Sequence, residues 1–414
     1  MSNEVLTAKN APGVTAKLVA AHLKEKAKFV SSISKEDSAQ FSAAYKSAQP
    51  DDTIFVKKPT KFTTGSSLDV SSSKQDVKQE KVALELDILR NVAFEMTSLE
   101  TAYDKPIKYW NDEFVEPAMN ALAAEIDSVC LEKATRYTSN LVGTAGTQPG
   151  NVRGFLEAGQ KLFENLAPED EGHFACMNPA TNTEFGDNIK ALFHNEEIAK
   201  TFGRGYVGSG QGFDYMRSNL LPTFTNGADV TGIAVENTVV TIANGMSTLG
   251  VDGVTSSATI TAGTNFTIAG VFDVHPLTKQ ALPSLKRFTV LADVTEVAAN
   301  SVIMSISPAI FYTPGDSRQN VSAAPADEAA LVFFGAASTA YAQNLAYHKD
   351  AFRFVSVPLY LPEGEDFAAQ ETVDGISVRA IRYFDGDTSV SSMRFDVLAG
   401  LAPVRPEWAC RYTG

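Results

Sequence analysis

The sequence predicts an α+β fold that a small β-domain interrupts, and three observations support this prediction. Between residues 222 and 344 the chain is rich in Thr, Val, Ala and Gly, and its basic residues there are only Lys279, Lys286, Arg287 and Arg318. Apolar and polar residues alternate from Val82 to Leu89, which is typical of a strand. After residue 114, apolar residues recur at three- and four-residue steps, which indicates a long amphipathic helix.

Length, charge and cysteine content narrow the classes of protein. The 414 residues are enough for two or three domains, and the net charge of -14 argues against free nucleic-acid binding by the whole chain. Cys130, Cys176 and Cys410 lack CxxC spacing, so we expect buried thiols rather than a disulfide scaffold or a zinc ribbon. No signal-peptide pattern and no apolar run of about 18 residues is found, so the chain is expected to be made in the cytosol without a membrane contact.

The first half of the chain predicts an arm, a hairpin and a long helix. Residues 1–50 are polar and helix-prone, and predict an arm that is either free in solvent or docked on a neighbouring molecule. Residues 51–97 predict an extended hairpin, with strands at 52–59 and 82–96 around a Ser/Thr/Lys/Gly-rich tip. A two-stranded hairpin is marginal alone in water, so it needs a surface to lie on. A helix capped by Asn111 or Asp112 should then run for about 25 residues, on the order of 40 Å.

The second half predicts a layered domain with an insert. Residues 144–222 form an α+β layer with strands at 173–177 and 213–217. Within 223–343, short apolar runs are separated by turns every 8–12 residues, which is typical of a small barrel or sandwich. Strands are expected there at 235, 239–242, 258–260, 266–268, 288–291 and 302–306. The host domain resumes after residue 344 with strands near 352–360, 376–384 and 390–398.

Several short stretches match catalytic or binding motifs by their letters, but the residues around them do not fit those motifs. Residues 203–208 match GxGxxG, but a helix-like segment precedes them and a strand follows, the reverse of a dinucleotide site. Asp385-Gly386-Asp387-Thr388 has too few oxygens for a calcium shell and favours a hairpin turn. The five histidines share no metal spacing, and His348-Lys349-Asp350 has no nucleophile elbow beside it. We therefore predict no catalytic residue, no cofactor and no metal.

The hairpin is locally basic in an acidic chain. Its lysines are Lys57, Lys58, Lys61, Lys74, Lys78 and Lys81. They either form a solvated loop or dock on an acidic patch of an identical neighbour, and such an exposed contact would weaken with salt.

Taken in order, these segments resemble the major capsid (coat) protein of tailed bacteriophages, in the branch that carries an inserted telokin-like β-barrel. The matching stretches are 52–59, Phe62 with 68–70, 92–98, 114–119 with 121–123, 212–222, 275–280, 344–352 and 379–397. The resemblance implies the tailed-phage/herpesvirus major capsid fold. Its parts would be an N-terminal arm at 1–50, an extended hairpin (E-loop) with its strands at 51–97, a peripheral domain with the spine helix at 98–143, an apical domain at 144–222, the barrel at 223–343, and the second apical and peripheral part at 344–414.

The resemblance also implies a function. The chain would assemble through hexamers and pentamers into an icosahedral shell around double-stranded DNA, without sequence-specific contacts, in the host cytoplasm and then in the virion. A scaffolding protein and a portal would be partners. A decoration protein is an optional further partner. The expected inter-subunit contacts are Lys57, Lys58, Lys61, Leu68, Asp69 and Lys74. The expected spine-helix packing residues are Phe114, Met119, Leu122 and Ile126.

One departure and one alternative accompany this resemblance. Some relatives carry a long protruding loop on the barrel, whereas the corresponding stretch here, 244–253, is expected to be a short loop. The alternative hypothesis is a monomeric binding protein or enzyme that uses the β-rich insert to recognise a ligand.

Overall fold

The computed structural model of the chain describes residues 26–35, 49, 51–62, 74, 77, 79–97, 114–189, 208–228, 230–255, 258–295, 301–362, 367–386, 388 and 390–414. Several predicted features lie outside these residues: most of the arm, the hairpin tip with Leu68 and Asp69, the helix caps Asn111 and Asp112, the glycine turn at 203–207, and Asp387. The chain divides into two compact units. Unit 1 comprises Met1–Val56, Lys81–Leu131 and Phe352–Val404, and unit 2 comprises Lys57–Glu80, Glu132–Ala351 and Arg405–Gly414.

The α-helices in the described part of the chain are α1 Lys28–Ser32, α2 Glu116–Tyr137, α3 Val152–Glu164 and α4 Pro179–Ile189. Helix α2 is the predicted long helix, and its 22 residues span about 33 Å. Pro117 falls in its first turn, where a missing N–H costs no helical hydrogen bond. Asn151 begins α3, because its side chain accepts a hydrogen bond from the Arg153 N–H.

The strands in chain order are β1 Thr53–Lys57, β2 Lys81–Glu85, β3 Ile88–Thr97, β4 Leu141–Val142, β5 His173–Met177, β6 Ser209–Gly210, β7 Phe213–Arg217, β8 Thr223–Thr225, β9 Ala234–Val235, β10 Met246–Asp252, β11 Thr259–Ile260, β12 Asn265–Val274, β13 Ala281–Val290, β14 Val294–Thr295, β15 Val302–Ile310, β16 Leu331–Phe333, β17 Ala340–His348, β18 Arg353–Val357, β19 Phe367–Val373, β20 Ile376–Asp385, β21 Val390–Ala402 and β22 Ala409–Thr413.

Unit 1 is built around β21, a strand of 13 residues. Its sheet has the order β18-β21-β20-β19, and β3 pairs along β21 from Ile88 opposite Ala399 to Thr97 opposite Val390. Strands β1 and β2 pair with each other as the base of the hairpin. The predicted hairpin run at 82–96 is therefore wrong in its second half. The chain leaves the hairpin at Leu86 and Asp87, because β3 gains a longer antiparallel partner in β21.

Unit 2 contains a mixed seven-stranded sheet with the order β4-β22-β17-β5-β7-β6, and β8 pairs with β17. Strands β5 and β7 have the bounds predicted from their apolar residues. Helix α3 packs on this sheet through the buried ring of Phe155. That ring meets Tyr412 edge-on at 5.0 Å and Tyr215 at 5.5 Å between centroids, a favourable arrangement for aromatic side chains.

The insert forms its own sheet within unit 2, in the order β16-β12-β13-β15-β10-β9. Hydrogen bonds from the Val235 N–H to the Ala329 carbonyl (3.0 Å) and from the Leu331 N–H to the Ile233 carbonyl (2.9 Å) join its two outer strands. Six strands therefore surround one apolar core. The larger core side chains are Leu249, Phe266, Ile268, Phe288, Met304, Ile306 and Phe333.

Two expectations for the insert are wrong. The apolar run at 239–242 is a turn and coil, because the Glu236 carboxylate accepts the Thr238 N–H (2.9 Å) and the Asp327 carboxylate accepts the Asn237 N–H (2.9 Å). The expected short loop at 244–253 is mostly strand β10, which lies between β15 and β9. Leu249 and Val251 of this strand are fully buried, so they belong to the core and not to a protruding loop.

Candidate functional site

The base of the hairpin is held by backbone pairing and by one apolar face. The Leu86 N–H donates to the Asp52 carbonyl at 3.0 Å, and the Lys58 N–H donates to the Glu80 carbonyl at 2.9 Å. Ile54 and Val56 pack toward the buried residues of unit 1, whereas Phe55 between them is 62% exposed. Alternation along β1 therefore leaves one aromatic side chain facing outward.

The structure places the predicted contact lysines in different settings. Lys57 is exposed at the end of β1, and Lys74 is also exposed. Lys58 is half-buried, with its Nζ 4.0 Å from Glu80 Oε2. Lys61 is exposed, and no carboxylate of the described residues lies within salt-bridge distance of it. Only Lys58 and Lys61 are brought together around a common cleft.

That cleft, here called the basic cleft, has a volume of about 300 Å³ and lies within unit 2. Four segments line it: residues 58–62 with Glu80, Asn165 and Leu166 after α3, Pro276 and Leu277 with Arg318 of the insert, and Arg405 with Glu407 and Trp408 before β22. The guanidinium of Arg405 lies over the Trp408 ring at 4.0 Å from its centroid. The Trp408 indole N–H donates to the Asn165 carbonyl at 3.0 Å, so this wall of the cleft is fixed.

Positive charge is concentrated beside the cleft. Lys279 donates from its Nζ to the Ser317 carbonyl at 2.7 Å and to the Gln319 carbonyl at 3.2 Å. Burial, together with repulsion from Lys61, lowers the pKa of Lys279 to about 8. Arg318 forms a two-point pair with Asp316, which raises the pKa of Arg318. The surroundings of Lys279 therefore disfavour its charged form.

A second polar site holds the described part of the arm within unit 1. The Asp127 carboxylate of α2 accepts the Phe29 and Val30 N–H groups at 3.1 and 3.0 Å. Burial raises the pKa of Asp127 to about 6, against the opposing effect of these hydrogen bonds. Ser34 continues the docking, since its carbonyl accepts the Phe354 N–H at 3.0 Å.

The predicted spine residues differ in burial. Met119, Leu122 and Ile126 of α2 are at most 1% exposed and lie in the core. Phe114 lies just before the helix and is half-buried, with its ring 6.2 Å from that of Phe94 between centroids.

The polar stretch at residues 348–350 is bonded to Asp170 and has a structural role. The buried His348 bonds through Nε2 to Asp170 Oδ1 at 2.7 Å, and its Nδ1 accepts the Asp350 N–H at 3.2 Å. Lys349 also bonds to Asp170, and the two partners lower the pKa of that carboxyl. Across the described ranges, no group of three or more His, Cys, Asp or Glu side chains could hold a metal ion. No helix in this part of the chain is long and apolar enough to cross a membrane.

The insert is joined to the seven-stranded sheet through a buried arginine. Arg411 of β22 donates to the Gly263 carbonyl at 2.7 Å and to Thr289 Oγ1 at 3.2 Å. Burial lowers its pKa to about 9, so the guanidinium stays protonated at neutral pH. Asn265 adds a bond from Nδ2 to the Ser139 carbonyl at 2.5 Å. These contacts tie the insert to the host domain through polar groups that water does not reach.

Comparison with known families decides the identity. A family model described as "P22 coat protein - gene protein 5" matches residues 30–414. The chain belongs to the P22 coat protein family. This coat protein is 22% identical over 321 residues to a major capsid protein of Acyrthosiphon pisum secondary endosymbiont phage 1, covering 73% of this chain and 75% of that protein.

Solved structures of low similarity accompany this match. One from Mycobacterium phage Che8 is 11% identical, covers 93% of the coat protein and 90% of its own chain, and has a TM-score of 0.46. The CUS-3 coat protein I-domain is 27% identical, covers 28% of the coat protein and 94% of that domain, and has a TM-score of 0.17. Because both scores lie below 0.5, the assignment rests on the family model. The coat protein is a major capsid protein of a phage and a component of the virion, and the alternative of a monomeric binding protein or enzyme has no support.

Two of the four cations that line the basic cleft of this coat protein were not predicted from the sequence. Lys58 and Lys61 were predicted because they lie in a run of lysines. Arg318 and Arg405 are isolated in the sequence, and Trp408 follows a proline near the end of the chain. No periodicity or spacing connects them, so only the fold brings them to the same cleft.

Proposed function

We propose that the coat protein assembles through hexamers and pentamers into an icosahedral shell around double-stranded DNA. The observation that carries this proposal is the family match over residues 30–414. Head-to-tail contacts between identical subunits close into rings, which suits a shell. The net charge of -14 favours an enclosing surface with few direct contacts to phosphate.

The resemblance to tailed-phage coat proteins supports the further partners. A scaffolding protein and a portal would take part in assembly in the host cytoplasm, and a decoration protein is an optional further partner. The role is structural, with no catalytic step and no cofactor.

Exposed groups on the hairpin support its role as a contact between subunits. Phe55, Lys57, Lys61 and Lys74 face outward, and a hairpin of this kind needs a surface beneath it. We include Leu68 and Asp69 of the tip and the half-buried Lys58 in this contact. In this proposal α2 is kept rigid by the packing of Phe114, Met119, Leu122 and Ile126. A rigid α2 would hold the hairpin in position for the contact.

The test is co-expression of the full chain with the scaffolding protein of its own phage, followed by sedimentation and negative-stain microscopy. Closed particles of uniform size are the expected result. Monomers or dimers under all conditions would refute the shell. A deletion of residues 63–73 should abolish or weaken the shells, and shells of unchanged stability would show that the hairpin tip is not the contact.

A further inference from the structure

The basic cleft is an open, charged feature of the surface of unit 2. It collects residues from the hairpin, the end of α3, the insert and the segment before β22. We infer that the basic cleft is a docking site for an acidic, partly apolar segment of a second copy of this chain. The inference rests on the proposed function, since it names one contact by which the shell would be held.

Charge complementarity is the first support. The cations that line the cleft are Lys58, Lys61, Arg318 and Arg405, and the carboxylates that line it are Glu80 and Glu407. Lys279 and Asp316 lie beside it as neighbours of Lys61 and Arg318. The cleft is therefore locally positive on a chain whose net charge is -14. Complementary potentials guide encounter and fix register between protein surfaces. A second copy carries 49 acidic residues against 35 basic ones, so it offers acidic segments to such a cleft.

Local repulsion is the second support. Lys61 and Lys279 disfavour each other, and Lys279 is half-buried with only carbonyl partners at its Nζ. Asp316 is already occupied by Arg318. An arriving carboxylate would add to the attraction of Asp316, which already opposes the repulsion between Lys61 and Lys279.

Exposed apolar side chains on the rim are the third support. Leu277 is 63% exposed, Phe62 is 58% exposed and Leu166 is 40% exposed. They stand beside Trp408, which is held rigidly by its hydrogen bond to the Asn165 carbonyl. Exposed apolar side chains beside a rigid aromatic ring are typical of the groups that a protein interface buries. An acidic segment with one or two apolar residues matches this rim.

Cross-linking tests the contact directly. The three native cysteines are buried, so a benzophenone maleimide on Leu277→Cys marks the cleft alone. Shells are grown from an equal mixture of ¹⁴N- and ¹⁵N-labelled chains, irradiated, and digested for mass spectrometry. Mixed-isotope peptide pairs between residue 277 and an acidic segment are expected in shells and not in unassembled subunits.

Val332→Cys is the matched control, because Val332 lies on the insert outside the cleft and is 62% exposed. Mixed pairs from Leu277→Cys well above those from Val332→Cys support the docking site. Only same-copy pairs from Leu277→Cys, or equal yields from both variants, would overturn it.

A charge reversal gives an independent readout. Lys61→Glu should lower the yield of shells at low salt by about ten-fold, because a like charge would face the acidic segment. Arg217→Glu, which reverses an exposed cation of β7 outside the cleft, should leave the yield unchanged. Thermal melting of the unassembled variants should match that of the parent chain, which separates assembly from folding.

The outcomes distinguish this inference from the proposed function. Failure of the parent chain to form any shell would refute the proposed function, and the docking site with it. Normal shells from the parent chain, together with normal shells from Lys61→Glu, would overturn the docking site alone.

Discussion

Replacing Asp127 by asparagine tests how the arm segment 26–35 is held in unit 1. Asp127 lies on the buried side of α2, and its carboxylate accepts the Phe29 and Val30 N–H groups at 3.1 and 3.0 Å. These N–H groups belong to the first turn of α1, where a helix leaves its donors without internal partners. Asp127 therefore acts as a cap supplied from another helix.

The magnitude follows from the pKa of Asp127, which burial raises from 3.8 to about 6. This shift of about two units corresponds to about 3 kcal/mol, at about 1.4 kcal/mol for each unit. Because the folded-state pKa is the higher one, the docked state binds more protons between pH 3.8 and 6. The stabilisation is fully present below pH 3.8 and is lost as the pH rises through 6.

Hydrogen exchange resolved to the peptide 26–35 measures this effect locally. After correction for the intrinsic exchange rate, the opening free energy of the parent segment should fall by about 2 kcal/mol between pH 4 and 7, because part of the stabilisation is already lost at pH 4. Asp127→Asn should show no such fall, because an amide does not ionise in this range. Glu125→Gln removes an exposed carboxylate of the same helix and is the control.

Two results would refute this reasoning. One is an opening free energy that rises with pH in the parent chain, since that would mean the carboxylate is preferred in its charged form when docked. The other is the same pH dependence in Asp127→Asn as in the parent chain, which would assign the titration to another group.

Three further predictions concern unit 2. Gly143→Ala should lower the free energy of unfolding by about 3 kcal/mol in denaturant titrations, because φ is +115° and the new Cβ would lie 1.8 Å from a carbonyl oxygen of β22. Gly146→Ala, with φ +81° and open space around it, should cost only about 1 kcal/mol. Asp273→Ala should lower the melting temperature strongly, since it leaves the buried Lys286 ammonium without its partner at 2.9 Å and costs about 3 kcal/mol or more. Lys279, whose pKa is about 8, should be acetylated at pH 7.5 about ten-fold faster than an ordinary exposed lysine in peptide mapping of unassembled subunits, and an equal rate would contradict its lowered pKa.

Local periodicity was sufficient where an element buries one face by itself. Strand β7, which buries alternate residues, was predicted with its observed bounds, and α2 was predicted within a few residues. Strand β5 was also predicted with its bounds, but as a fully buried strand, and its last three residues are all buried. Side chains repeat every two residues in a strand and every 3.6 in a helix, so burial of one face leaves its mark in the order of residues. The apolar rows of Met119, Leu122 and Ile126 were readable for this reason.

Pairing between distant segments was not readable in the same way. Strand β10 was expected to be a loop because the resemblance places a loop at 244–253, yet β15 and β9 hold it between them. Strand β3 looked like a continuation of the hairpin, because its own alternation says nothing about which strand lies beside it. Register and partner choice depend on contacts between residues that are tens of positions apart for β10 and about three hundred apart for β3.

The sequence by itself determined the α+β class, many of the helices and strands, and the run of hairpin lysines, because each of these follows from neighbouring residues. Only the tertiary structure decided that Lys61, Arg318 and Trp408 surround one cleft, and that Asp127 caps a helix almost a hundred residues earlier in the chain. Charge and exposure become a site when folding brings isolated residues within a few ångströms of one another, and local sequence patterns carry no record of that distance.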